Sequence, residues 1–206
     1  MTISVTSYTL AIARTKRVKV WDIGVRLFHW SVVASVALAW FLTDDPGLHR
    51  NLGSVVTVLI AFRLVWGLVG SHHARFGNFV PGPRKFLSYV EAMRRGREKR
   101  YLGHNPAAAA MVVALLAMLA AVAASGYMMG MPAFFGVEWV ALAHKYLVNG
   151  LLVLIALHVM WVALASWRHR ENLVLAMITG EKEAGGQEAV KTVRRPGARP
   201  VTPAKR

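Results

Sequence analysis

The chain has 206 residues, of which 55% are hydrophobic and only 17% are charged, and its mean hydropathy is +0.41. This composition is unusual for a water-soluble domain and indicates a membrane protein. The sequence has no cysteine, which excludes disulfides, thiolate-bound clusters and cofactors attached through cysteine. A net charge of +15 is typical of proteins that bind nucleic acid or an anionic membrane surface. Because the chain is so apolar, we attribute the charge to the membrane surface and to the orientation of the chain, and we expect no nucleic-acid partner.

Four apolar stretches are long enough, or nearly so, to cross a bilayer, which takes about 20 residues of helix. They are Leu27–Thr43, Leu52–Gly70, Ala107–Val137 and Trp139–Trp167. Pro132 and nearby glycines end the third helix near Met129 and leave Gly130–Glu138 as a short turn. We expect the first stretch to be a structural helix and not a removable signal peptide. The sequence thus predicts an all-α, integral membrane four-helix bundle.

The segments around the bundle differ in composition, and they divide the chain into three parts. Residues 1–20 form a basic N-terminal segment and residues 21–180 the transmembrane domain. Residues 181–206 combine Gly, Pro, Lys and Arg with few large apolar residues, which predicts a disordered basic tail. Just before this tail, Glu171–Thr179 has a helical period and is expected to lie along the membrane surface.

The positive charge of the chain lies on one side of the predicted bundle. Lysines and arginines precede the first span, fill the connection between the second and third, and follow the fourth. The two opposite connections, Asp44–Asn51 and Gly130–Glu138, carry Arg50 as their only cation. Because Lys and Arg accumulate in cytoplasmic loops, we expect a multi-pass membrane protein with both termini in the cytoplasm.

Four of the eight histidines fall within the spans or at their ends, where ionisable groups are costly and mark functional sites. His144 and His158 lie 14 residues apart on the fourth helix, close to four full turns, so they share a face about 21 Å apart. His49 lies at the start of the second helix, at the same depth as His144. His29 lies near the start of the first helix, at the same depth as His158. One zinc ion cannot bridge such a distance, whereas two bis-histidine haems in a four-helix bundle fit it.

Arg63 follows His49 by 14 residues, so it should lie on the same face of the second helix at the depth of His29 and His158, whose haem we call the inner haem. The helix cores contain no Asp or Glu, so a haem propionate is one partner that would offset the desolvation of this arginine. The alternative is that Arg63 extends its side chain to the inner interface.

Several short motifs between Val20 and Lys182 resemble the bacterial di-haem cytochrome b561 family, which includes the b-type cytochrome subunits of nickel–iron hydrogenases. They are Val20-Trp21-Asp22, Arg26-Leu27-Phe28-His29-Trp30, Leu48-His49 with Gly53, Arg63-Leu64-Val65-Trp66-Gly67, Ala74-Arg75-Phe76, Gly103-His104-Asn105-Pro106, His144, His158 and Glu171-Asn172-Leu173. The resemblance implies a membrane bundle with two non-covalent b haems, ligands at His29, His49, His144 and His158, and transmembrane or quinone-linked electron transfer.

The leading hypothesis is an electron carrier, or the electron-transfer subunit of an oxidoreductase, that connects a periplasmic c-type cytochrome or hydrogenase with quinone or another acceptor. Membrane lipids are its other partners. The alternative is a helical bundle whose histidines relay protons, bind a transported metal or serve a scaffold. His104 is a candidate haem ligand in place of His29 or His158, a candidate helix-cap or interface residue, or part of a quinone site. His72 and His73 are candidates for interface or lipid contacts.

Overall fold

The computed structural model describes residues 17–41, 44–97, 101, 103 and 105–183. Within this part of the chain, four helices are long and apolar enough to span a membrane, which confirms the predicted four-helix membrane bundle. They are α1 (Ile23–Phe41), α2 (Pro46–Val69), α5 (Pro106–Met129) and α6 (Glu138–His169).

Three shorter helices and two short strands complete the described part. They are β1 (Arg17–Lys19), α3 (Phe76–Phe79), α4 (Pro83–Arg94), α7 (Leu173–Thr179) and β2 (Glu181–Glu183), with β1 paired to β2. The predicted end of the third span at Met129 and the predicted helix before residue 180 are confirmed. The first three residues of the predicted disordered tail form the strand β2, so the tail does not begin at residue 181. Residues 184–206 lie outside the described residues.

Two helices begin earlier than the hydropathy of the sequence predicts. The first span begins at Ile23, where the carboxylate of Asp22 accepts the backbone N–H of Val25 at 2.9 Å. The second begins at Pro46, where the carboxylate of Asp45 accepts the N–H groups of Gly47 and Leu48. Capping carboxylates satisfy the free amides of a first helical turn, so polar residues outside the apolar run become helical.

The helices pack in the order α1, α2, α5, α6. Close packing joins α1 to α2, α2 to α5 and α5 to α6, whereas within the described chain α6 has no comparably close packing with α1 or α2. The buried core contains Val56, Ile60, Leu119 and Leu151 from α2, α5 and α6. On the buried face of α2 the spacing of three and four residues continues to Arg63 and Gly67.

The described chain divides into two compact units. One is Lys19–Glu181 and contains all the helices. The other contains residues 17–18 and 182–183 of the described chain. We call the end of the helical unit at which α1 and α5 begin the basic end, because residues 70–97 beside it carry six Lys and Arg. The opposite end carries residues 44–45 and 130–137.

Candidate functional site

The first candidate site joins His49, in the first turn of α2, with His144, in the second turn of α6. The centres of the two imidazole rings are 6.4 Å apart, and the ring planes are nearly perpendicular, at 83°. Two imidazoles that bind one metal ion from opposite sides, at about 2 Å per bond, have ring centres roughly 6 Å apart. The spacing of the pair therefore suits one metal ion between them.

Both imidazoles of this pair have their Nδ1 atoms engaged by other groups. His49 Nδ1 lies 3.0 Å from the carbonyl oxygen of Ala39, which can only accept, so this nitrogen donates. His144 Nδ1 lies 2.9 Å from the hydroxyl oxygen of Ser125, and this hydroxyl donates its own proton to the carbonyl of Val122. His144 Nδ1 is thus also a donor, and both Nε2 atoms keep the free lone pair that a metal requires.

Small residues leave room beside the same pair. A Cβ atom added at Gly53, one turn after His49, would meet nothing within 4 Å. A Cβ atom at Gly126 would come within 3.2 Å of Cε1 of His144, so only glycine fits against this ring without displacing it. The donor set, the ring spacing and the open space beside Gly53 together fit a flat, iron-centred macrocycle.

The second candidate site lies between α1 and α6. His29 and His158 are close enough to interact electrostatically, and both are partly buried. His29 also packs edge-on against Trp30, with ring centres 5.0 Å apart. Its buried Nδ1 atom has no hydrogen-bond partner among the described residues, in contrast to the first pair. No described acceptor therefore orients the ring of His29 as the Ala39 carbonyl orients that of His49.

Arg63 lies near the basic end of α2, and only 2% of its surface is exposed. Its Nη2 atom donates to the carbonyl of Ala74 at 3.2 Å, and its guanidinium carbon lies 4.6 Å from the ring centre of Phe76. The carboxylate of Asp22 interacts with it electrostatically. This carboxylate is a partner that the apolar helix cores do not predict, because Asp22 precedes the first apolar stretch. The buried Nη1 atom has no partner among the described residues and keeps N–H groups free to donate to a further anion.

Asp22 connects three segments at the basic end. Its carboxylate accepts the indole N–H of Trp66 at 3.1 Å, the hydroxyl of Ser71 and the amide of Val25. Burial by itself raises the pKa of Asp22. Hydrogen bonds from Ser71, Val25, Trp66 and Gly24 have the opposite effect and outweigh burial, so the pKa lies below its ordinary value of 3.8. The carboxylate therefore stays charged and holds the start of α1 against the end of α2.

A sequence model of the prokaryotic cytochrome b561 family matches residues 20–180, more than three quarters of the chain. The chain belongs to the prokaryotic cytochrome b561 family. No match was found among the curated proteins or among the solved structures. As a family member the chain is an integral membrane b-type cytochrome of electron transfer, its cofactor is b-type haem with iron, and it contacts membrane lipids.

Not all candidate residues of this cytochrome converge on the two sites. His72 and His73 contact each other near the basic end, with ring centres 5.2 Å apart, and His104 lies outside the described residues. Among the described residues, no group of three or more His, Asp or Glu side chains is placed to hold a metal ion.

Sequence reasoning about this cytochrome missed Ser125, the Ala39 carbonyl and the role of Asp22. A serine within an alanine-rich membrane helix is a polar exception that could have drawn attention to Ser125. The Val20-Trp21-Asp22 motif placed an acid directly before the first span. For the Ala39 carbonyl no side-chain signal exists, since any residue presents the same backbone oxygen.

Proposed function

We propose that this cytochrome binds two b haems per chain and relays electrons across the bacterial inner membrane. His49 and His144 would hold one haem, and His29 and His158 the other. Bound haem supplies one-electron exchange at its iron. The protein binds and orients the two groups and keeps them in an apolar surrounding. The observation that carries this proposal is that α6 has two histidines 14 residues apart, each with its own partner on α1 or α2.

The proposed electron path connects a periplasmic donor or acceptor with quinone or another acceptor near the basic end. We place the basic end and both termini in the cytoplasm because the Lys and Arg residues concentrate there. A periplasmic c-type cytochrome or hydrogenase is the proposed protein partner. Imidazoles on both faces of each iron would leave no open position, which favours electron transfer over oxygen or substrate chemistry at the haem.

Arg63 is the proposed partner of a propionate on the haem of His29 and His158. Its unpartnered Nη1 atom supports this assignment, since a buried guanidinium N–H without an acceptor is costly. The nearby Asp22 carboxylate does not remove the need, because it is already hydrogen-bonded to Trp66 and Ser71.

Haem content per chain, measured as the pyridine haemochrome of purified protein, tests the stoichiometry and the pairing. We expect two haems in the wild type and one in each of His29→Ala, His49→Ala, His144→Ala and His158→Ala. The absorption spectra should match within each pair, because the loss of either histidine would remove a ligand from the same haem. His169→Ala, at the end of α6, is the matched control and should keep both haems.

A wild-type content near one haem, or spectra that match across the two pairs, would contradict the assignment. A chain without haem would instead favour the alternative of a proton-relaying, metal-transporting or scaffolding bundle.

A further inference from the structure

Ser125 is a buried serine on α5, the one spanning helix that carries no proposed haem ligand. Only 6% of its surface is exposed, and its hydroxyl oxygen lies 2.9 Å from both the Val122 carbonyl and His144 Nδ1. A hydroxyl has one proton, and the carbonyl of Val122 can only accept it. Ser125 must therefore accept the N–H of His144, which fixes the tautomer and the orientation of this imidazole.

The opposite imidazole of the pair has the same character. His49 donates its Nδ1–H to the carbonyl of Ala39 at 3.0 Å. A histidine that donates through its second nitrogen is a more basic ligand and stabilises the more positive, oxidised metal. Both imidazoles of this pair thus favour the ferric state.

The pair of His29 and His158 has the opposite surroundings. The buried Nδ1 of His29 has no acceptor among the described residues, so none of them makes this ligand more basic. The buried guanidinium of Arg63 places positive charge near the same end of the bundle, which favours the ferrous state. The charged carboxylate of Asp22 offsets part of this effect.

We infer that Ser125 is a positioning residue that holds the haem of His49 and His144 at the lower of two distinct midpoint potentials. This inference rests on the proposed function. It gives the electron path a downhill direction, from the haem of His49 and His144 toward that of His29 and His158 at the basic end.

Redox titration of purified Ser125→Ala protein tests the inference, with haem content measured on the same sample. The substitution removes the acceptor of the His144 N–H, so the lower of the two potentials should rise while the higher stays unchanged. Ser125→Thr keeps the hydroxyl and should preserve both potentials. Ser35→Ala is the matched control, because Ser35 is equally buried but lies on α1, and it should change neither.

The inference is overturned if Ser125→Ala retains two haems and the lower potential does not rise, or if only the higher one shifts. Should the alanine variant lose a haem, Ser125→Cys provides the test, since the thiol keeps the volume but accepts hydrogen bonds weakly. Its lower potential should rise by a smaller amount, and an unchanged value would reject the inference. A wild type with fewer than two haems contradicts the proposed function itself and not the role of Ser125.

Discussion

At the scale of single residues, Arg63 has the clearest electrostatic consequence. Its guanidinium is buried, one of its nitrogens has no partner among the described residues, and it lies at the basic end of the helix that carries His49. A positive charge near a haem stabilises the reduced state, because reduction adds a negative charge.

We expect Arg63→Gln to lower the midpoint potential of the haem held by His29 and His158 and to affect the other haem much less. The two histidines of α6 are separated by about 21 Å along the helix axis, which weakens the effect on the second site. Redox titration of both haems provides the measurement, and Arg63→Lys, which keeps the charge, is the control. Unchanged potentials with normal haem content would show that Arg63 has no electrostatic role at the haem.

At the scale of secondary-structure elements, Asp22 holds the start of α1 against the end of α2. Asp22→Asn removes the negative charge of the carboxylate that accepts hydrogen bonds from Val25, Trp66 and Ser71. Asparagine still caps the helix with its amide oxygen, so the loss comes from weaker, uncharged hydrogen bonds to Trp66 and Ser71, which should lower the free energy of unfolding by about 1 kcal/mol. Thermal unfolding in detergent at neutral pH measures this change. Asp44→Asn, in the connection at the opposite end, is the control and should leave stability unchanged.

The stability of the wild type should also depend on acid through Asp22. The pKa of this group is lower in the folded protein than in the unfolded chain, so its contribution is complete above pH 3.8. It is lost as the pH falls below this value through the folded pKa. The difference in melting temperature between wild type and Asp22→Asn should therefore shrink in acid, and a constant difference down to pH 2 would disprove this linkage.

The contact between α2 and α3 depends on the absence of a side chain at Gly67. A Cβ atom there would lie 2.0 Å from Cε2 of Phe76, whose ring also contacts Arg63. Gly67→Ala should destabilise the protein by about 1 to 2 kcal/mol, because overpacking outweighs the gain in helix propensity of about 1 kcal/mol. Melting temperature measures the effect. Gly77→Ala, where nothing lies within 4 Å, is the control, and equal behaviour of the two variants would contradict the packing argument.

At the scale of the whole molecule, the charge distribution predicts the orientation in the membrane. An alkaline phosphatase reporter, which is active only in the periplasm, should be inactive when fused after Arg206. The same reporter should be active when the chain is truncated and fused within the 130–137 connection, which we expect to be periplasmic. Activity at Arg206 would reverse the topology and with it the assignment of inner and outer haem.

The sequence by itself determined the number of spanning helices, the end of the third helix and the positions of four histidines at two depths. These features depend on hydropathy and helical periodicity, which are local properties of the chain. The helix starts at Ile23 and Pro46 could not be predicted from hydropathy, because capping carboxylates extend each helix into polar sequence. The tertiary structure decided which groups meet: Ser125 with His144, the Ala39 carbonyl with His49, and Asp22 with Trp66 and Ser71. Such contacts depend on how separate helices rotate and pack against one another, and no local pattern along the chain encodes that geometry.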